Sequence, residues 1–297
     1  NSTTIANPLA SSVNASITYT VRVTDQNTGC YTDNTVPITL TAPLSGTYTV
    51  GTGGNFTTLT SAIDTYNTVC IGGPIIFELI NNSYTTASGE TFPLTIKSNA
   101  YASAINTLTI RPAAGKTVSI SGNNNTGIFI FRGADYVTID GANIAGGLTR
   151  NLTISNTNNS AATATVVYME APNSSDGATN NTVKNSIISG SGSTTTWCAV
   201  FSGGSDPLNI PPTGNNDNTF FNNKIIKAAT GFAIVGPSGN EWRNVIDSND
   251  IGSITAAEKL GFSGVELYQQ ENAQVKRNKI LNLSWADYSS DVYGIYI

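Results

Sequence analysis

From residue 75 onward the chain consists of short runs in which apolar and polar residues alternate. Each run is closed by Gly, Asn, Asp or Pro. A period of two predicts half-buried β-strands, and the closing residues predict turns. The runs are IIFEL, LTIRP, VSIS, IFIF, YVTID, LTIS, VVYME, TVKNSII, CAVFS, TFFNNKII, GFAIVG, NVIDSNDI, GVELY, QVKRNKIL and YGIYI. The pattern predicts an all-β fold.

One segment before these runs has a helical period instead. Phe56, Leu59, Ile63 and Tyr66 recur at helical spacing. Thr60 is the predicted N-cap, and Asp64 is close enough to the helix start to complement its dipole. We expect one short amphipathic helix here.

Four runs in the second half share a unit in which Asn is followed two residues later by Ile. They are KNSI (184–187), NNKI (222–225), SNDI (248–251) and RNKI (277–280). The steps between the four asparagines are 38, 26 and 29 residues, which is typical of the coils of a solenoid. We therefore predict a right-handed parallel β-helix in which the asparagines stack in a ladder at a turn: Asn185, Asn223, Asn249 and Asn278. The alternative is that they are ordinary surface turn residues.

The first 44 residues have a different pattern. Two alternating runs, 17–23 and 36–40, flank a turn-rich loop at 25–29, which predicts a two-stranded hairpin. Two strands alone do not bury a core in water. We therefore divide the chain into a partial module, residues 1–44, and a β-helix domain, residues 45–297.

Composition excludes several kinds of partner and site. Only 11% of residues are charged, the net charge is −5 and there is no histidine. A nucleic-acid partner would require a basic stripe, and mixed Cys/His zinc sites would require histidine. No apolar run is long enough to cross a bilayer. The cysteines, Cys30, Cys70 and Cys198, follow no metal-ligand spacing, so we expect no metal and no cofactor.

Several segments resemble a known group of proteins. GTYTVGTGGNFTTLTSAI, GPIIFELINNSYT, NTLTIRPAAGKTVSISG and GADYVTIDGANIAGGLTRNLTISNT are similar to the parallel β-helix regions of large secreted or surface proteins of Bacteroidota exported by the type IX secretion system. YTVRVTDQNTGC resembles the last strands of Ig-like or PKD-like modules. The resemblance implies an extracellular location, a chain that continues beyond residue 297, and a Cys30 whose usual partner would lie outside this segment.

The acidic residues allow either a structural or a catalytic interpretation. Asp135 and Asp140 flank the run YVTI at positions typical of turns. Catalysis by a β-helix polysaccharide lyase or hydrolase would require carboxylates clustered on one face. Glu170 and Asp176 are the nearest further candidates, and Arg132 and Arg150 are expected to lie across turns from them. We favour turn residues and assign no catalytic residue, and we keep the enzyme as the alternative.

Aromatic residues are the candidates for ligand contact, since aromatic rings stack on the apolar faces of sugars. The candidate carbohydrate contacts are Trp197, Trp242, Glu266, Tyr268 and Trp285. The alternative is that these aromatics fill small cores under loops. The sequence favours a non-enzymatic stalk or adhesin, with a surface polysaccharide or another envelope protein as its partner and no insertion into the membrane.

Overall fold

The computed structural model describes residues 15–159, 163–206, 209–237, 241–284 and 291–297, without the side chain of Glu241. The chain divides into two compact units, and the boundary lies between Pro43 and Leu44.

The first unit contains an antiparallel hairpin. Its strands are β1 (Ile17–Thr24) and β2 (Tyr31–Ile38). The guanidinium of Arg22 donates two hydrogen bonds of 2.8 Å to the carboxylate of Asp33 on the opposite strand. Val23 remains 64% exposed. The described hairpin therefore buries little apolar surface.

The second unit is a parallel β-solenoid of seven turns, each with three main strands. It opens with β3 (Leu44–Val50) and α1 (Leu59–Tyr66). The strands of turns 1 to 4 are β4 (Ile71–Leu79), β5 (Ser83–Tyr84), β6 (Leu94–Lys97), β7 (Leu108–Pro112), β8 (Val118–Gly122), β9 (Phe129–Arg132), β10 (Val137–Asp140), β11 (Leu152–Asn156), β12 (Thr165–Glu170), β13 (Thr182–Lys184), β14 (Ser186–Ser189) and β15 (Cys198–Gly203). Those of turns 5 to 7 are β16 (Thr219–Phe221), β17 (Lys224–Ile226), β18 (Thr230–Val235), β19 (Glu241–Trp242), β20 (Val245–Asp247), β21 (Asp250–Gly252), β22 (Ser263–Tyr268), β23 (Gln270–Glu271), β24 (Gln274–Lys276), β25 (Lys279–Leu281) and β26 (Tyr293–Tyr296).

Equivalent strands of successive turns form three parallel sheets. Sheet 1 contains β3, β4, β7, β10, β13, β16, β20 and β24; sheet 2 contains β5, β8, β11, β14, β17, β21 and β25; sheet 3 contains β6, β9, β12, β15, β18, β22 and β26. The short strands β19 and β23 pair separately. We call the bends corner 1–2, corner 2–3 and corner 3–1 after the sheets that they join. Two 3₁₀ helices, Thr86–Ser88 and Ala256–Glu258, lie in connections.

The core consists of apolar columns, one from each sheet. The sheet 1 column contains Phe77, Ile110, Ile139, Val183, Phe220, Ile246 and Val275, in register from turn to turn. The sheet 2 column contains Tyr84, Ile120, Ile154, Ile188, Ile225, Ile251 and Ile280. Each fully buried aliphatic side chain contributes about 1.5–3 kcal/mol. The structure confirms the predicted all-β solenoid. The columns show why the chain adopts it, because each turn buries its apolar residues against those of the next.

Left-handed residues break four runs that the sequence predicted as single strands. Asn185, Asn222, Ser248 and Arg277 all have φ between 51° and 57°. Each ends a strand of sheet 1, and the strand of sheet 2 begins within two residues. Because a residue in this conformation turns the chain, TVKNSII, TFFNNKII, NVIDSNDI and QVKRNKIL each contribute to two sheets.

Helix α1 lies at the N-terminal end of the solenoid. The predicted N-cap, Thr60, is wrong, because the Thr58 side chain caps the helix by accepting from Ser61 N–H at 3.1 Å. Asp64 is outside the first turn. The buried carboxylate of Glu90 takes the position of the expected acidic residue and accepts from the Leu59 and Thr60 amides at 2.8 Å each.

The helix also protects the first strand of sheet 3. Asn67 donates to the Thr95 carbonyl at 2.8 Å and accepts from the Lys97 amide at 2.9 Å. One side-chain amide thus reproduces the pairing that a neighbouring strand would give, which covers an otherwise open edge. No helix within the described ranges is long and apolar enough to span a membrane.

Candidate functional site

A file of hydrogen-bonded asparagines runs along corner 1–2. Asn249 Oδ1 accepts from the backbone and side-chain amides of Asn223 at 2.8 and 3.1 Å. Asn278 Oδ1 accepts from the corresponding groups of Asn249, both at 2.9 Å. These side chains satisfy the backbone at the bend, so their role in the structure is internal.

The predicted position of Asn185 in this file is corrected by one residue. Ser186, not Asn185, lies above Asn223 and donates its amide to Asn223 Oδ1 at 3.0 Å. Asn185 occupies the left-handed position before it and receives a hydrogen bond of 2.8 Å from Asn222. Matching the repeated units by sequence misplaced this position because Ile187 and Ile188 are adjacent. Ile188 is the one in register with Ile225.

A second file, at corner 3–1, was not predicted. Asn181 N–H donates to Asn218 Oδ1 at 3.0 Å, and Asn218 N–H donates to Asn244 Oδ1 at 2.9 Å. All three side chains are buried. Asn218 and Asn244 lie five residues before the first-file positions Asn223 and Asn249, and this constant spacing is the sequence signal that could have revealed them.

Asp140 and Arg150 fix a loop, residues 141–151, across corner 1–2. Asp140 accepts from Asn185 Nδ2 at 2.7 Å and pairs with Lys184 at 3.2 Å. Arg150 donates to the carbonyl of Asn222 at 2.9 Å and pairs with Asp250 at 2.5 Å. The loop therefore connects turn 3 to turns 5 and 6. Neither residue is available for chemistry on a ligand in this arrangement.

One candidate carbohydrate contact, Trp197, belongs to a small apolar cluster on the outer face of sheet 3. The ring of Trp197 packs 5.0 Å from that of Phe201, beside the buried Tyr168 and Cys198. Burial raises the pKa of the Cys198 thiol, which keeps the thiol protonated. The Tyr168 hydroxyl donates to the carbonyl of Gly204 in the covering loop. Trp197 thus fills a core under a loop, the alternative that the sequence left open.

Glu266 is also internal to sheet 3. Its carboxylate accepts from Ser263 Oγ at 2.5 Å and Thr230 Oγ1 at 2.9 Å, and its exposed fraction is 9%. These two hydroxyls compensate for burial of the carboxylate. Glu266 is therefore not positioned to bind a sugar.

Trp242 lines an open cleft at corner 3–1. The cleft has a volume of about 590 Å³, and the described residues that line it are Ser174, Pro212, Thr213, Asn216, Trp242 and Arg243. Trp242 is 37% exposed. The guanidinium of Arg243 lies 5.7 Å from the centre of its ring. An aromatic ring beside short polar side chains can accept the apolar face of a sugar and its hydroxyls together.

The cleft has free hydrogen-bonding groups. Within the described ranges, the hydroxyls of Ser174 and Thr213 and the amide nitrogen of Asn216 form no hydrogen bond. Asn216 uses only its side-chain oxygen, which accepts from the Trp242 backbone amide at 2.7 Å. This bond fixes the backbone of Trp242 and leaves the Asn216 NH₂ group for a ligand.

Buried contacts hold the lining in place. Asn215 donates to the Gly203 carbonyl at 3.0 Å and accepts from the Ala178 amide at 2.8 Å. Gly177 approaches the adjacent loop so closely that a Cβ there would lie 2.1 Å from the carbonyl oxygen of Gly214. The loops that carry Ser174 and Thr213 are thus packed together before any ligand binds, which lowers the entropic cost of binding.

Tyr268 lines a separate cleft of about 380 Å³ with Gln270, Asn272 and other residues of turns 6 and 7. Its ring packs 5.7 Å from that of Tyr296. Trp285 lies outside the described residues. The structure therefore brings neither Trp197 nor Glu266 next to Trp242, and it leaves Trp242 and Tyr268 as the exposed candidates, in different clefts.

The acidic residues near corner 3–1 are partly buried. Contrary to the prediction, Arg132 does not lie across a turn from Glu170, because the two are directly paired on adjacent strands at 2.9 Å. Burial raises the pKa of Glu170, and the Arg132 guanidinium partly opposes this rise. Burial also raises the pKa of Asp135 and of Asp176, while hydroxyls of Thr179 and Ser98 oppose it.

These carboxylates do not assemble into a metal site. Within the parts of the chain that the structure describes, no three Asp, Glu, Cys or His side chains are close enough to hold a metal ion. Asp135 is engaged by the Thr179 amide and hydroxyl at 2.8 and 2.5 Å.

Comparison with protein families, with curated proteins and with solved structures gives no significant match.

Proposed function

We propose that this chain is a non-enzymatic, extracellular segment of a larger bacterial surface or secreted protein and that it binds carbohydrate at the Trp242 cleft. The single observation that carries the proposal is the cleft itself, an exposed indole beside three neutral groups free to hydrogen bond. Sugars require this combination of an apolar platform and polar contacts.

The solenoid supports the role of a stiff spacer. Each turn is fixed to the next by three parallel sheets, and turns 4 to 7 are also linked by the files of asparagine side chains. Bending such a body would break many of these bonds at once. The resemblance to secreted proteins of Bacteroidota, and of the hairpin to Ig-like modules, supports the extracellular context and an adhesive role.

The second candidate is a polysaccharide lyase or hydrolase. It is favoured by the raised pKa values of Glu170 and Asp176, since such shifts are common in catalytic acids. The pairing of Glu170 with Arg132 argues against it, because a general acid must release its proton to a substrate.

Affinity gel electrophoresis with a broad panel of plant and microbial polysaccharides tests the proposal. We expect at least one polysaccharide to retard the protein, and Trp242→Ala to weaken that binding about tenfold or more. Tyr31→Ala is the matched control, since it removes an exposed aromatic ring in the other unit. Retardation that survives Trp242→Ala would contradict the site.

The same incubations decide between binding and catalysis. We expect no new reducing ends and no unsaturated uronate products from any polysaccharide. Product formation that is lost in Glu170→Gln or Asp176→Asn would establish the enzyme instead.

A further inference from the structure

The charges at corner 3–1 are almost all negative. Among the described side chains of the segments that connect sheet 3 to sheet 1, there are five carboxylates and one guanidinium; the strand-end residues Arg132 and Glu170 pair with each other. The carboxylates are those of Asp135, Asp176, Asp206, Asp217 and Glu271, and the guanidinium is that of Arg243. With every group charged, the balance is −4. A polysaccharide that lies along this corner therefore meets a negative potential.

Arg243 is not available to neutralise an anionic ligand. Its Nε and one terminal nitrogen each donate to the carboxylate of Asp217 at 2.6 Å. This two-bond pairing satisfies the charge of the guanidinium within the protein. The hydrogen bond to Asp217 also raises the pKa of Arg243, so the guanidinium stays charged.

The other lining groups that the structure describes are uncharged. Ser174 and Thr213 offer hydroxyls, Asn216 offers an amide nitrogen, and Trp242 offers its ring. Hydroxyl and amide groups match sugar hydroxyls, each of which both donates and accepts. A carboxylate ligand would find donors here but no free cation.

We infer that the Trp242 cleft selects uncharged polysaccharides of hexopyranose units and rejects polyuronates. The inference rests on the proposed function and adds the class of ligand. The magnitude follows from Coulomb's law: two like charges about 8 Å apart in water repel by about 0.5 kcal/mol, and salt screens more distant pairs. Several such pairs along a polyuronate give at least a tenfold preference for the neutral chain.

Binding to neutral and anionic probes tests this selectivity. Neutral probes are mixed-linkage β-glucan, xyloglucan, galactomannan and starch; anionic probes are polygalacturonate and alginate. We expect a neutral probe to bind at least tenfold more tightly than either polyuronate in physiological salt, with binding lost in Trp242→Ala.

A charge variant separates electrostatics from shape. Asp176 and Glu271 lie at the same corner but do not line the cleft. In the double variant Asp176→Asn, Glu271→Gln we expect unchanged affinity for the neutral probe and severalfold stronger binding of polyuronate. An unchanged preference in this variant would overturn the electrostatic basis.

The two proposals fail in different ways. Trp242-dependent binding of a polyuronate as tight as that of the neutral probes overturns the inference and leaves carbohydrate binding intact. If no probe of either class binds in a Trp242-dependent manner, both proposals are wrong.

Discussion

Replacing Asn249 by Ala removes the centre of the corner 1–2 file. The Asn249 side chain accepts two hydrogen bonds from Asn223 and donates two, to the Phe220 carbonyl at 3.0 Å and to Asn278 Oδ1 at 2.9 Å. It is 1% exposed, so water cannot replace these bonds without opening the corner.

The cost can be worked out bond by bond. In the variant, the side-chain amide of Asn223 still donates to the Val183 carbonyl, and Asn278 Oδ1 still accepts from the backbone amide of residue 249. The Asn223 backbone N–H loses its partner, and the Phe220 carbonyl loses this donor. The unsatisfied buried N–H costs about 1–3 kcal/mol and the lost bond to the Phe220 carbonyl about 0.5–1.5 kcal/mol, so we expect Asn249→Ala to lower the free energy of unfolding by about 1.5–4.5 kcal/mol.

Urea unfolding followed by far-ultraviolet circular dichroism measures this loss. The dependence of the unfolding free energy on urea concentration must be equal in the two proteins before their unfolding midpoints are compared. Asn180→Ala is the matched control. Asn180 is an exposed corner residue with φ 57° and a side-chain bond to Thr179 at 3.1 Å. The control should cost about 1 kcal/mol, from the left-handed conformation alone. Equal losses in the two variants would refute a stabilising role for the file.

Three further substitutions test contacts outside the asparagine files. Arg150→Ala should cost about 1 kcal/mol, since its pair with Asp250 is half exposed, and hydrogen exchange should accelerate in residues 141–151 and not in sheet 3. Asp176→Asn should raise the melting temperature more at pH 8 than at pH 4. Burial raises the pKa of the Asp176 carboxyl in the folded state, so the stability that its protonated form contributes is lost as pH rises through this folded-state pKa. An equal effect at both pH values would contradict the burial argument. Glu90→Gln should cost about 1–2 kcal/mol and accelerate exchange in α1, since the carboxylate accepts from the Leu59 and Thr60 amides; unchanged exchange there would exclude the capping role.

The solenoid could be predicted because its turns repeat the same local chemistry. In a parallel stack, each inward position meets its own equivalent one turn later, so the isoleucines of three of the four repeated units, Ile225, Ile251 and Ile280, lie in a single column. Units with Asn223, Asn249 and Asn278 align in register without a shift. The one-residue error at Asn185 arose where serine replaces asparagine and two isoleucines are adjacent.

Contacts between turns could not be predicted with the same ease. The step between equivalent residues varies from 37 to 26 to 29 residues. Arg132 and Glu170 are 38 residues apart and pair directly, and Glu90 caps a helix 31 residues before it. Turn lengths that vary with the loops hide such pairs until the strand register is known.

Corner 3–1 separates the residues that hold the fold from those that we propose meet a ligand. Asn218 and Asn244 are buried in the second file and fix the bend. Two residues before each of them, Asn216 and Trp242 face the cleft. The file satisfies the backbone whatever side chain occupies position 242, so this exposed position is free to vary, whereas the Asn216 side chain also accepts from the Trp242 backbone amide. Under the proposed function, a solenoid of this kind can change its ligand through position 242 without losing stability, because the bend itself is held by the buried asparagines.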